Sequence, residues 1–99
     1  MPLYYILNAS GVPVPCANRL LWIAWMQIRQ HRIIAQDRIG DIGVSTVFLG
    51  IDHNFVDVGP PVLWETLLVG GPRDGEIQRY QTQDAARAGH AKILNSLRN

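Results

Sequence analysis

The stretch of residues 44–71 constrains the fold of this chain more than any other part of its sequence, because it contains no Lys or Arg and holds two apolar runs. The runs at residues 44–49 and 62–69 are rich in apolar and β-branched residues, which predicts two strands, the first buried on both faces. The loop between these strands concentrates four polar residues, Asp52, His53, Asn54 and Asp57. Functional side chains are best held on rigid elements, so this loop is our candidate site.

The remaining segments predict an α+β fold. Residues 3–7 are typical of a strand, and the segment Val12-Pro13-Val14-Pro15 predicts an extended arm, because proline lacks the N–H donor that a central strand needs. Asn18 is a suitable N-cap for a helix over residues 19–29. A short strand is predicted over residues 33–36.

The C-terminal part of the sequence predicts one more strand and a second helix. Gly70-Gly71-Pro72 ends the strand at 62–69, and Asp74-Gly75 indicates a tight turn before an edge strand over residues 76–80. Thr82 can cap the final helix. The predicted order is β-α-β-β-β-β-α, an antiparallel sheet of four to five strands with two helices on one face, in a single domain of residues 1–99.

The first predicted helix carries more apolar residues than one helix face needs. Its helically spaced residues are Leu21, Trp22, Trp25, Met26 and Ile28, and Leu20 and Ile23 widen the apolar arc. Such a helix is either deeply buried or covered by a second molecule. We therefore predict a homo-oligomer or partner interface that involves Trp22, Trp25 and Arg29.

Alternation along the strand at 62–69 adds two residues to the candidate site. Trp64 shares one face with Thr66 and Leu68, whereas Glu65 is a carboxylate on the other, otherwise apolar face. The predicted ligand- or partner-binding residues are Asp52, His53, Asn54, Asp57, Trp64 and Glu65.

Catalysis by this loop is the minority interpretation. His53 could act as a general base with Asp52, Asp57 or Glu65, since histidine is the side chain that most often serves this role in enzymes. The spacing matches no metal-site template, so we predict neither a bound metal nor a cofactor. A loop in which Asp and Asn bond their own backbone explains the same residues, and no activated nucleophile accompanies them. The sequence favours a non-enzymatic protein.

Charge and composition narrow the class of partner. Residues 1–40 carry a net charge of +3, residues 41–72 of −4 and residues 73–99 of +2. The single cysteine, Cys16, allows no intrachain disulfide, and no apolar run reaches about 18 residues. We expect a cytoplasmic protein that does not enter membranes. No recognition helix for sequence-specific DNA binding is evident.

Several of these motifs resemble those of small uncharacterised proteins encoded by bacteriophages and prophage-rich bacterial genomes. The resemblance covers residues 41–90, through the runs V-S-T-V-F-L-G-I-D-H-N-F, G-P-P-V-L-W-E-T-L, G-G and A-x-x-G-H. It implies no activity, but small phage proteins often bind a host protein, for example to inhibit a bacterial defence system. Others sequester a nucleotide signal.

Three functional hypotheses follow. The first is a non-enzymatic phage-type binding protein that acts on a host protein, as an oligomer. The second is a binder of a phosphorylated small molecule or nucleotide that combines an aromatic ring with Arg29, Arg32, Arg79 or Arg87. The third is a small metal-dependent hydrolase or nuclease that uses His53 and nearby carboxylates.

Overall fold

A computed structural model describes residues 3–56 and 58–98; Met1, Pro2, Asp57 and Asn99 lie outside the described residues. The elements in chain order are β1 (Tyr5–Leu7), β2 (Pro13–Pro15), α1 (Arg19–Gln27), α2 (Arg29–Arg32), β3 (Ile33–Ile39), β4 (Ile42–Phe48), β5 (Trp64–Val69), β6 (Ile77–Tyr80) and α3 (Gln83–Arg98).

The main sheet is an antiparallel meander in the order β3-β4-β5-β6, so β3 and β6 are its edges. Helix α3 packs against all four strands. The predicted α+β class is therefore confirmed. The predicted proline-containing arm is β2, which pairs with β1 in a separate two-stranded sheet. Prolines are tolerated in β2 because only one side of the strand is paired.

The first helix is shorter than predicted, and the described residues contain three helices rather than two. Asn18 caps α1 as expected, since its Oδ1 accepts a hydrogen bond from the Leu21 amide at 3.1 Å. The helix ends at Gln27 because Ile28 is extended, with φ −83° and ψ 104°. The Trp25 carbonyl accepts hydrogen bonds from the Ile28 amide and from Nδ1 of His31, which closes the last turn.

One face of the sheet forms the core. Val44, Thr46 and Phe48 of β4 are buried, whereas Ser45 and Val47 between them are half-buried. The prediction that this strand is buried on both faces is wrong. Val47 continues the apolar run in the sequence, but it lies on the second face of the sheet, which is partly open to solvent. Antiparallel sheets commonly have one such solvated face.

The core consists of two apolar clusters. One contains Val44, Leu68, Ile93 and Leu94, and the other contains Phe48, Leu63, Trp64 and Ala86. Helix α3 contributes to both clusters, and its start is capped by Thr82, whose Oγ1 accepts from the Ala85 amide at 3.0 Å. None of the described helices is both long and apolar enough to cross a membrane.

Candidate functional site

The predicted site loop connects β4 to β5 and is anchored at its start to the N-terminal segment. Ile51 pairs with Tyr4 in an isolated antiparallel bridge, and the Asp52 amide donates to the Leu3 carbonyl at 3.0 Å. The His53 amide donates to the Val62 carbonyl at 2.9 Å, which ties the two sides of the loop together. The loop is thus held on both sides by backbone hydrogen bonds.

Asp52 and Asn54 support the backbone of this loop. Asp52 Oδ1 accepts from the amides of Asn54 and Val62, at 2.8 and 2.9 Å. Asn54 Nδ2 donates to the carbonyls of Val58 and Pro60, at 2.7 and 2.9 Å. These side chains adopt the backbone-bonding arrangement that is common for Asp and Asn in turns.

His53 is half-buried and has a defined tautomer when neutral. Its Nδ1 lies 2.8 Å from the Ile51 carbonyl, and since a carbonyl can only accept, Nδ1 carries the proton. Nε2 then keeps its lone pair. The ring lies beside Phe55, with centroids 5.6 Å apart. This arrangement orients the imidazole as a hydrogen-bond acceptor.

The other predicted site residues lie apart from one another. Asp57 lies outside the described residues. Glu65 and Trp64 are on opposite faces of β5: Trp64 is 1% exposed and packs on Phe48, whereas Glu65 Oε1 accepts from Arg79 Nε at 3.1 Å on the other face. Within residues 3–56 and 58–98, no three His, Cys, Asp or Glu residues are grouped as metal ligands would be.

The tip of the loop carries an apolar group that sequence reasoning missed. Phe55, Val56 and Val58 are 79%, 74% and 71% exposed. Exposed apolar residues scattered singly are common, but three within four positions of one loop form a local patch. The signal was present in the F-V-x-V sequence, an apolar segment where a turn is normally polar.

Helix α1 turns its predicted interface tryptophans toward the fold. The Trp22 ring lies 4.6 Å from that of Tyr4, and its Nε1 donates to the Gly50 carbonyl at 3.0 Å. Trp25 meets Phe48 edge to face at 5.7 Å. Arg29 is exposed at the start of α2. The large apolar residues that α1 and its C-cap leave exposed are instead Leu20, Leu21, Ile23 and Ile28.

A series of hydrogen-bonded side chains crosses the sheet; its middle members, Thr46, Thr66 and His90, are buried, whereas Asp37 at one end is exposed. His90 Nε2 lies 2.8 Å from Asp37 Oδ2, and Nδ1 lies 2.7 Å from Thr46 Oγ1. Thr46 Oγ1 lies 2.5 Å from Thr66 Oγ1, which accepts from the Tyr80 hydroxyl at 3.0 Å. His90 is thus a buried histidine with a polar partner at each ring nitrogen.

The connectivity of Asp37, His90 and Thr46 is that of a nucleophilic triad, but its location is not. Thr46 is fully buried, so its hydroxyl has no contact with solvent through which a substrate could approach. When the Asp37 carboxylate is the final acceptor, every O–H and N–H group in the hydrogen-bonded series from Tyr80 to Asp37 can donate to the next member. The arrangement is suited to holding four strands and α3 together.

Compared with known proteins, the chain matches no family model, no curated protein and no solved structure. Functional interpretation therefore depends on the geometry of its own residues.

Proposed function

We propose that this chain is a non-enzymatic binding protein whose loop between β4 and β5 inserts into a pocket of a partner protein. The observation that carries the proposal is the exposure of Phe55 and Val56 on a loop whose backbone is braced by Asp52 and Asn54. Transfer of these side chains from water into an apolar pocket is favourable. Because the loop is already held in place, binding costs little additional conformational entropy.

The charge around the loop specifies the chemistry of the partner. Residues 44–71 contain no Lys or Arg, and the sequence of the loop contributes two carboxylates, Asp52 and Asp57. A partner pocket that is apolar inside and rimmed by basic residues would complement both the loop tip and its acidic surroundings. An anionic membrane surface would instead repel the carboxylates of the loop, so the partner is expected to be a protein.

Self-association through α1 is the second part of this proposal. Leu20 and Leu21 are among the most exposed apolar residues of the described chain, and Ile23 and Ile28 extend the patch. A nine-residue helix spans only about 14 Å. Two such helices bury less than the ~1,200 Å² of a standard interface, so a weak, concentration-dependent dimer is expected.

The biological setting in the proposal comes from the sequence resemblance. The resemblance of its motifs to those of small phage proteins favours a host protein as the partner, and inhibition of a bacterial defence system as the role. The apolar loop tip is compatible with this role, since an inhibitor needs only to occupy a surface of its target.

The loop proposal is tested by affinity capture from a bacterial lysate, followed by titration of the purified partner. Wild type, Phe55→Ser/Val56→Ser and the matched control Val69→Ser are compared, because Val69 is an exposed apolar residue of β5. We expect a partner that binds wild type and control alike and loses at least about tenfold in affinity with the loop variant. Equal affinity of the loop variant and wild type for every captured protein would refute the proposal.

Light scattering coupled to size-exclusion chromatography tests self-association independently. The mass of wild type should rise with concentration, and Leu20→Gln/Leu21→Gln should remain monomeric with an unchanged circular-dichroism spectrum. A wild-type mass that stays at one chain up to millimolar concentration would remove the dimer and leave the loop proposal standing.

A further inference from the structure

A cleft of about 460 Å³ lies between the turn that joins β1 to β2 and the C-terminal end of α1, away from the loop discussed above. Its lining consists of Leu7, Asn8, Ala9, Gly11, Trp25 and His31. The volume is within the range of small-molecule pockets. Apolar, aromatic and hydrogen-bonding groups therefore converge on a space large enough for a small ligand.

The aromatic wall of the cleft is a stack of two rings. His31 lies against Trp25 with ring centroids 4.5 Å apart and an interplanar angle of 24°. His31 Nδ1 is 2.9 Å from the Trp25 carbonyl, so in the neutral ring Nδ1 carries the proton and Nε2 is the acceptor. Trp25 also packs nearly perpendicular to Phe48 of the core, with ring centroids 5.7 Å apart. This wall is fixed before any ligand arrives.

The opposite wall is fixed as well. Asn8 Oδ1 accepts from the amides of Ser10 and Val12, at 2.9 and 3.0 Å, so the group that Asn8 can offer to a ligand is its amide NH₂. Gly11 adopts φ +77°, a conformation that suits glycine, and its amide donates to the Asn8 carbonyl. The cleft thus combines a donor and an acceptor with an aromatic surface.

Positive charge is supplied by α2, the short helix that contributes His31 to the cleft. Arg29 and Arg32 belong to this helix without lining the cleft themselves, and none of the residues that line the cleft is acidic. Arginine forms charge-assisted, bidentate hydrogen bonds with carboxylates and phosphates, so these two side chains are placed to receive an anionic group at the rim.

We propose that this cleft binds a planar aromatic ring that carries an anionic group. The ring packs on the Trp25–His31 wall and exchanges hydrogen bonds with His31 Nε2 and the Asn8 amide, while the anionic group lies toward Arg29 and Arg32. A nucleoside phosphate and an aromatic carboxylate share this chemistry. The site is independent of the proposed partner-binding loop.

Isothermal titration with four probes tests both halves of the ligand. The probes are adenosine 5′-monophosphate, benzoate, inorganic phosphate and acetate. We expect one or both ring-bearing probes to bind at least about tenfold more tightly than the matching ringless anion. Of these two, the probe that binds more tightly then shows whether the ligand is a nucleotide or an aromatic acid. Equal binding of ring-bearing and ringless probes, or no binding by any of them, overturns the proposal.

A matched pair of histidine variants locates the site. His31→Phe keeps a ring but removes the acceptor, and should weaken the binding of the best probe about tenfold. His53→Phe is the control, because His53 also bonds a backbone carbonyl through Nδ1 and lies beside an aromatic ring, but does not line the cleft. Equal affinities of the two variants would contradict the assignment.

NMR chemical-shift mapping on the wild-type protein tests whether the probe binds in the cleft, even if His31→Phe does not fold. Titration of the best probe should shift the backbone signals of residues 7–11 and the indole signal of Trp25. Shifts confined to other parts of the chain would refute the cleft as the binding site.

Discussion

Replacement of Thr46 by valine should be among the most damaging single-atom changes in this chain. The substitution keeps the β-branched shape but removes a hydroxyl that has two partners, Thr66 Oγ1 at 2.5 Å and His90 Nδ1 at 2.7 Å. Both partners are buried, so water cannot replace the lost oxygen. The chain from Tyr80 to Asp37 is then interrupted at its centre.

The magnitude follows from the number of buried groups that lose a partner. A hydrogen bond contributes about 0.5–1.5 kcal/mol net, and a buried polar group left unsatisfied costs about 1–3 kcal/mol. Two partners are affected, and the new methyl group offsets part of the loss, so Thr46→Val should reduce the free energy of unfolding by about 2–4 kcal/mol. A domain of this size has about 5–15 kcal/mol in total.

Urea unfolding followed by circular dichroism measures this effect. Ser45→Ala on the same strand is the control, because its hydroxyl accepts only from Gln36 Nε2 at 3.3 Å on the exposed side and should matter by less than about 0.5 kcal/mol. Thr46→Val combined with His90→Leu should cost less than the sum of the two single changes, since the residues share one hydrogen bond. If Thr46→Val lowers the free energy of unfolding no more than Ser45→Ala does, the hydrogen-bonded side chains from Tyr80 to Asp37 do not stabilise the fold, and this explanation is refuted.

Two glycine positions give further predictions. Gly50 has φ +73°, and a Cβ there would lie 2.5 Å from Met26 Sδ, whereas Gly75 has φ +84° and free space. In urea denaturation, Gly50→Ala should therefore lower the free energy of unfolding by about 1 kcal/mol more than Gly75→Ala. Equal losses would show that the contact between the new Cβ and Met26 costs no stability. Gly89→Ala should lower the melting temperature despite the higher helix propensity of alanine, because its Cβ would collide with the Tyr80 ring. In a Tyr80→Leu background the same change should be stabilising, and stabilisation in wild type would refute this account.

Local chemistry made much of the fold predictable. The starts of α1 and α3 follow from residues that cap these helices, Asn18 and Thr82. The strand faces of β5 follow from simple alternation. The break at Ile28 was not predictable, because no proline or glycine marks it and the hydrogen bond between the His31 side chain and the Trp25 carbonyl that accompanies it is visible only in the folded chain.

The candidate sites were predictable only where they are local. The bonds of Asp52 and Asn54 join residues within ten positions of each other, so the sequence already suggested a self-bonded loop. The partners of His90 are 44 and 53 residues away in sequence, and only the packing of α3 on the sheet brings them together. The cleft at His31 likewise depends on the β1–β2 turn, which is distant in sequence from α2.

The two edges of the sheet limit how copies of this chain can assemble. The middle of β3 exposes Gln36, Asp37 and Arg38, and β6 exposes Gln78 and Arg79 next to one apolar residue, Ile77. Polar and charged edges discourage a neighbouring strand from continuing the sheet, which is the route to open-ended fibres. Growth by strand addition is therefore disfavoured at both ends. Any assembly of this protein should therefore use surfaces other than the sheet edges, and should preserve the four-stranded sheet as a discrete unit.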